Sequence, residues 1–323
     1  MEFKYALSLL FSNMGYVIRI FVWVLIAMII TACIGAAVLV PVFDALGEAP
    51  EVADAFRTLT GELDSFLDDG MSIREFISSI PAAVGGLVAA VVGESGLCAA
   101  LAFIAIFLYA LYSFIVSLSY YPTAYSVKQL MSSNMRIGLP SSMALNFKQA
   151  VKFAACRVSI AVPIDIALII LAVLLVWGLF TAVGVFAFPI TILLGIIVVS
   201  LRSAFFGGWL PRLLFVEGES MYTAFGRSLR AVKLNLKGLM KAFVITFFAA
   251  FALMAGLSVP TFGLVIVVIP SLDYFLFRTI ELVGYYKMTG MSFYTDAANV
   301  VDTVEFGYRA ENQARLSEED SEE

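Results

Sequence analysis

Apolar residues in this chain gather into long runs, and the lengths of those runs carry the first inference. A helix that crosses hydrocarbon needs about 20 mostly apolar residues, because the core is roughly 30 Å thick and each residue rises about 1.5 Å. Residues 17–43 form one such run and 97–118 a second. The stretch 158–201 stays apolar for 44 residues, too long for one crossing. Gly178, Thr181 and Gly184 mark a hairpin that divides it into spans at about 158–177 and 181–201. Residues 242–257 and 262–282 complete the set, separated by Ser258, Pro260 and Thr261. The pattern predicts an all-α polytopic membrane bundle of six spans within residues 1–290, followed by a tail at 291–323.

Charge gives these spans a direction. Between 120 and 157 stand five basic residues (Lys128, Arg136, Lys148, Lys152, Arg157) and no acid. Between 202 and 241 stand seven cations against Glu217 and Glu219. The loop 44–75 is the reverse, with nine acids and two arginines. Basic loops stay cytoplasmic, so the acidic loop 44–80 is expected outside and both termini inside, at the cell membrane. The net charge of −5 conceals this arrangement, since 18 of the 25 acids lie in the outer loop or in 296–323. The tail ends Ser-Glu-Glu-Asp-Ser-Glu-Glu and has too few apolar residues to fold, so it is expected to be partly disordered.

One module recurs three times: a cytoplasmic helix, a span out and a span back. The helices are read at 3–16, 141–157 and 220–241, and Ala6 is set against Ala224 between the first and third copies. In the third helix Arg227, Arg230, Lys233, Lys237 and Lys241 recur at spacings of three and four, beside an apolar face holding Phe225, Leu229 and Leu236. Such a face suits an anionic leaflet. The plainer alternative is that the cations only obey the topology rule while the apolar face packs under the spans. The outer loop carries helical periodicity over 52–67 and 73–80. Residues 81–92 are apolar but too short to span alone, and read equally as re-entrant or as a lead-in to the second span.

Charges at membrane depth are candidate sites, because each costs about 2.5–3.5 kcal/mol at a helix centre. Asp165 follows Pro163, Asp273 follows Pro270, and Arg278 and Glu281 are three apart and spaced to pair. Arg278 is expected to snorkel to the inner surface, and Glu94 to be exposed. The two aspartates are expected to pair with Arg278 or, alternatively, to form a polar site. Counted from the nearest loop cation, they lie about 12 and 21 Å deep at roughly 1.5 Å per residue. They should therefore not share a proton, and Asp165 should take a donor nearer the inner surface, Arg202 or a helix N-terminus.

Composition then removes chemistry. The chain has no histidine, so the commonest general base and metal ligand is missing. It has no His-Glu-x-x-His, Gly-x-Ser-x-Gly, phosphate-loop or Cys-x-x-Cys motif. The three cysteines, Cys33, Cys98 and Cys156, sit in or beside spans and suggest no disulfide framework. Ile30-Thr31-Ala32-Cys33 imitates a lipoprotein cleavage box, yet apolar sequence continues past it, so an uncleaved helix is expected. No enzyme activity, metal or cofactor is expected, and no nucleic-acid partner.

Val216, Glu217, Ser220, Ala224, Phe225, Arg227 and Ser228 fall in a segment that resembles the multi-pass membrane domain preceding some bacterial glycerophosphodiester phosphodiesterases. The resemblance covers under a tenth of the chain and implies a membrane domain alone, since the phosphodiesterase domain and its histidines have no counterpart. Read from the residues, Ser220 is an N-cap and the glutamates favour the positive end of the helix after it. The expected function is a membrane module that binds anionic lipid or a partner protein through its basic face. The alternative is a transporter or channel with a polar site around Asp165 and Asp273.

Overall fold

A computed structural model describes residues 2–67, 70, 72–184, 187–216, 218–295 and 299–302. The chain is helical almost throughout. In order it forms α1 (Glu2–Ser12), α2 (Met14–Glu48), α3 (Pro50–Leu67), α4 (Ile73–Gly93), α5 (Ser95–Ser117) and α6 (Tyr120–Ser133). There follow α7 (Leu139–Val183), α8 (Ala187–Phe206), α9 (Trp209–Phe215), α10 (Met221–Leu257) and α11 (Leu264–Thr289). Two short strands, β1 (Phe293–Tyr294) and β2 (Val300–Val301), pair antiparallel. Thus the tail is ordered at its start, where Phe293 buries itself against the rings of Tyr5 and Tyr286. The rest of the expected disordered tail, from 303, lies outside the described residues.

Among the described residues five helical stretches are long and apolar enough to cross a membrane: Met14–Glu48, Ser95–Ser133, Leu139–Val183, Ala187–Phe215 and Met221–Leu257. This corrects the expected six. The sixth run, 262–282, became α11, and Asp273, Arg278 and Glu281 make that helix too charged to count with the others. The long apolar run divides where the glycines predicted, with Gly184 ending α7 at φ 57°, a conformation that a Cβ would strain. Along the middle of α7, Ile169, Ile170, Val173, Leu174 and Trp177 are all more than half exposed. In water that stripe would be untenable, and in hydrocarbon it is the expected surface.

The chain forms two compact units, residues 27–112 and residues 1–26 with 113–323. In the smaller unit α3 lies on α4, with Leu46, Ala49 and Val52 packed against Leu87, Ala90 and Val91. Ser72 caps α4 by a capping box with Glu75. Residues 81–92 are helical, forming the second half of α4, and α5 begins shortly after them at Ser95. They continue the amphipathic start of α4 straight through Pro81, and the helix ends at half-buried Glu94.

In the larger unit the predicted cytoplasmic helices and the spans after them form α7 and α10, each of two helical segments joined across a kink. Each is disturbed once, at Asn146 (φ −114°, ψ 16°) and at Asn235 (φ −121°, ψ 20°). The break between α1 and α2 is also an asparagine, Asn13. An asparagine amide competes for the helix's own carbonyls: Asn13 donates to the Leu9 carbonyl at 2.9 Å and Asn146 to that of Ser142 at 3.0 Å. Aligned on the three asparagines, the segments bury the same positions. Seven residues before lie Ala6, Leu139 and Ser228; four after lie Val17, Ala150 and Leu239; seven after lie Ile20, Phe153 and Ala242. Six residues after each stands an exposed cation, Arg19, Lys152 or Lys241. This register sets Ala6 against Ser228, one turn on from Ala224. Around α10 the core joins Ala6, Val232, Leu239 and Phe243 to Leu276 and Ile280 of α11, so α1, α10 and α11 pack as one group.

Candidate functional site

Asp165 sits on α7, two residues past Pro163, and is 7 % exposed. It forms a fork-to-fork ion pair with Arg202 of α8, through Nε and Nη2. Of the donors expected for Asp165, the partner is Arg202, and Arg278 is not it. Arg278 is 8 % exposed rather than snorkelling, and it contacts Glu281 at 2.7 Å one turn along α11. Asp273 is half-buried on the same helix and makes no hydrogen bond or ion pair with any described residue. The four intramembrane candidates thus resolve into two ion pairs' worth of partners and one unpaired carboxylate, and the two aspartates do not bond to each other.

Arg157 was counted with the loop cations, yet it is 9 % exposed and belongs to this site. It lies on the buried stripe of α7 with Ala150, Ala154, Ala161 and Asp165. That helical spacing was the signal in the sequence that it points inward. Its guanidinium donates to the Ser117 hydroxyl at 2.9 Å and stacks 4.3 Å from the centre of the Tyr120 ring. Arg278 stacks on that same ring at 4.4 Å, and Tyr120 is held in turn against Tyr274. Tyr274 shares a 2.6 Å hydrogen bond with Ser119.

Between these helices lies a cavity of about 240 Å³. Arg157, Arg202, Arg278 and Glu281 supply its charges, and its walls are aromatic, with Tyr120, Phe206 and Trp209 among them. The aromatics form a continuous set, Phe153 and Phe225 each packing on Trp209 at about 5 Å.

The cations proposed to meet lipid divide into two kinds. Arg227 is not a free contact: Glu219 holds it at 3.2 Å and Arg212 at 2.8 Å, with the Glu219 side chain 5 % exposed. Glu219 therefore locks α9 to the first turns of α10, a role beyond the expected charge–dipole one. Ser220 caps α10 as predicted, accepting from the Thr223 amide at 3.2 Å; Glu217 lies outside the described residues. Arg230, Lys233, Lys237 and Lys241 are exposed along α10, and the three lysines have no ion-pair partner among the described residues. Lys148 and Lys152 are exposed in the same way on α7.

A last ion pair, unforeseen because its partners are 285 positions apart, joins Glu2 to Lys287 at 2.8 Å. Glu2 also accepts from Asn235 at 3.4 Å, so one carboxylate ties α1, α10 and α11 together. Burial raises the Glu2 pKa, but the Lys287 ammonium together with hydrogen bonding from the residue's own backbone amide outweighs it, and the carboxyl is held below its ordinary range.

Comparison with known proteins returns no match: no family model, curated protein or solved structure is similar to this chain.

Proposed function

We propose that this protein is a non-enzymatic module of the cell membrane whose basic face binds anionic lipid headgroups. The observation that carries the reading is the recurrence of one exposed cation, at Arg19, Lys152 and Lys241, six residues past each asparagine and within a few residues of where each apolar run starts. A lone basic residue there would satisfy topology. Three in equivalent register, flanked by exposed Lys148 and Lys237, suit the headgroup region, where each cation near the surface contributes about 1 kcal/mol toward anionic lipid. The basic loops are read as cytoplasmic. The Glu2–Lys287 contact supports placing the chain's start and the end of α11 on that same side.

The test is lipid selectivity in reconstituted protein, with spin-labelled phosphatidylglycerol compared against spin-labelled phosphatidylcholine. Wild type should prefer the anionic lipid, less so as salt rises. The variant with Arg19, Lys152 and Lys241 all changed to Gln should lose most of that preference. An unchanged preference would reduce these cations to topology signals.

A second reading is transport through a polar site on α11, and unpaired Asp273, three residues after Pro270, is what favours it. Asp273→Asn should then abolish solute or proton flux in vesicles without lowering stability. Equal flux in the variant would remove the reading.

A further inference from the structure

We propose that the cavity between α6, α7, α8, α10 and α11 binds one phosphate-type oxyanion, held between Arg157, Arg202 and Arg278. Three guanidiniums from three helices converge on it, with two carboxylates beside them: Glu281 on Arg278, and Asp165 behind Arg202. One positive charge is left over: Glu281 faces both Arg278 and Arg157, and the direct contacts of Arg157 are a hydroxyl and an aromatic ring. An arginine does not shed its proton in a protein. A buried arginine therefore needs a counter-charge, because an unpaired ion away from water is strongly unfavourable. The Nε of Arg278 is buried and likewise has no hydrogen-bond acceptor among the described residues.

The donor chemistry selects the ligand. Guanidinium forks match phosphate oxygens two at a time, which lysine does not do. The Tyr120 ring, with Arg157 and Arg278 both stacked on it, fixes both forks in orientation before anything binds. Size narrows the choice further. At about 240 Å³ the cavity holds the volume of roughly eight waters and falls below the usual range of about 300–1,000 Å³ for drug-sized ligands. It fits a phosphate or a phosphorylated headgroup, with any acyl chains left outside. This site is separate from the exposed cations Arg19, Lys152 and Lys241 and stands or falls apart from them.

The experiment is calorimetric titration of the full chain, purified in neutral detergent, with inorganic phosphate and separately with a water-soluble short-chain phosphatidylglycerol. Wild type should bind one equivalent. Binding of both probes identifies a site for phosphate itself, and binding of the lipid alone identifies a headgroup site. Arg157→Met should weaken binding at least tenfold, as should Arg157→Gln, which keeps a polar contact for Ser117 and serves if the first variant does not fold. The glutamine variant of Arg19, Lys152 and Lys241 should bind as wild type. Failure of both probes to bind wild type, or equal binding by the Arg157 variants, would overturn the proposal.

Discussion

Glu2 is the second residue of the chain and is 4 % exposed, an unusual place for a carboxylate. Its depressed pKa fixes how stability depends on pH. A carboxyl held lower in the folded state than in the unfolded one contributes stability above the unfolded value, about 4.3. That contribution is lost as pH falls through the lower folded value. Glu2→Gln should therefore melt below wild type at pH 7, and the gap should close on acidification below about pH 4. A gap independent of pH would mean that the Lys287 pair is not the cause. Close packing around this carboxylate leaves no room for a methyl group on Gly238: a Cβ there would stand 2.6 Å from Glu2 Oε1 and 2.4 Å from Asn235 Oδ1. Gly238→Ala should cost about 1–3 kcal/mol in chemical denaturation. At this scale the sequence was half legible. Depth and charge leave Asp165 with Arg202 or a helix N-terminus as a donor beside the leading expectation of Arg278, and sequence spacing alone places Arg278 within reach of Glu281. Arg157 was not legible, because a cation at a span's edge reads as a loop charge unless the small-residue stripe beneath it is counted. Long-range pairs such as Glu2 with Lys287 leave no local signal at all.

Among the elements, run length located the helices and charge decided which were apolar enough to span. Gly184 and Ser220 did as their chemistry implies. The joins were harder. Periodicity leads each amphipathic helix into its span but does not place the kinks inside α7 and α10. The asparagines that bend them look like ordinary polar residues until their backbone angles are known. Gly208, just before α9, lies close against α10, and an added Cβ there would stand 2.6 Å from Val232 and 3.2 Å from the Ser228 carbonyl. Gly208→Ala should destabilise by about 1–3 kcal/mol. Val232→Ala should recover part of that loss in a double-mutant cycle, and strict additivity would show that the contact is not the source. Asp165→Asn should cost about 3 kcal/mol by stranding Arg202. Arg202→Met in the same background should restore much of it, and no restoration would mean the pair is not a structural one.

At the scale of the whole molecule, α7 carries exposed Lys148 and Lys152 in its first half and exposed apolar residues in its second, and the proposed reading is that such surfaces lie in lipid beside anionic headgroups. The proposed orientation has a direct check in a cysteine-free background. Asp64→Cys should label from outside an intact cell and Ser132→Cys should not, and labelling of both from one side would contradict it. The broader claim is that anionic lipid is this protein's ligand. Native mass spectrometry of wild type released from nanodiscs of mixed phosphatidylcholine and phosphatidylglycerol tests that most directly. The account predicts retained phosphatidylglycerol well above its share of the bilayer, with the excess shrinking for the Arg19, Lys152 and Lys241 glutamine variant. Retention in proportion to the bilayer, or of the zwitterionic lipid alone, would contradict it.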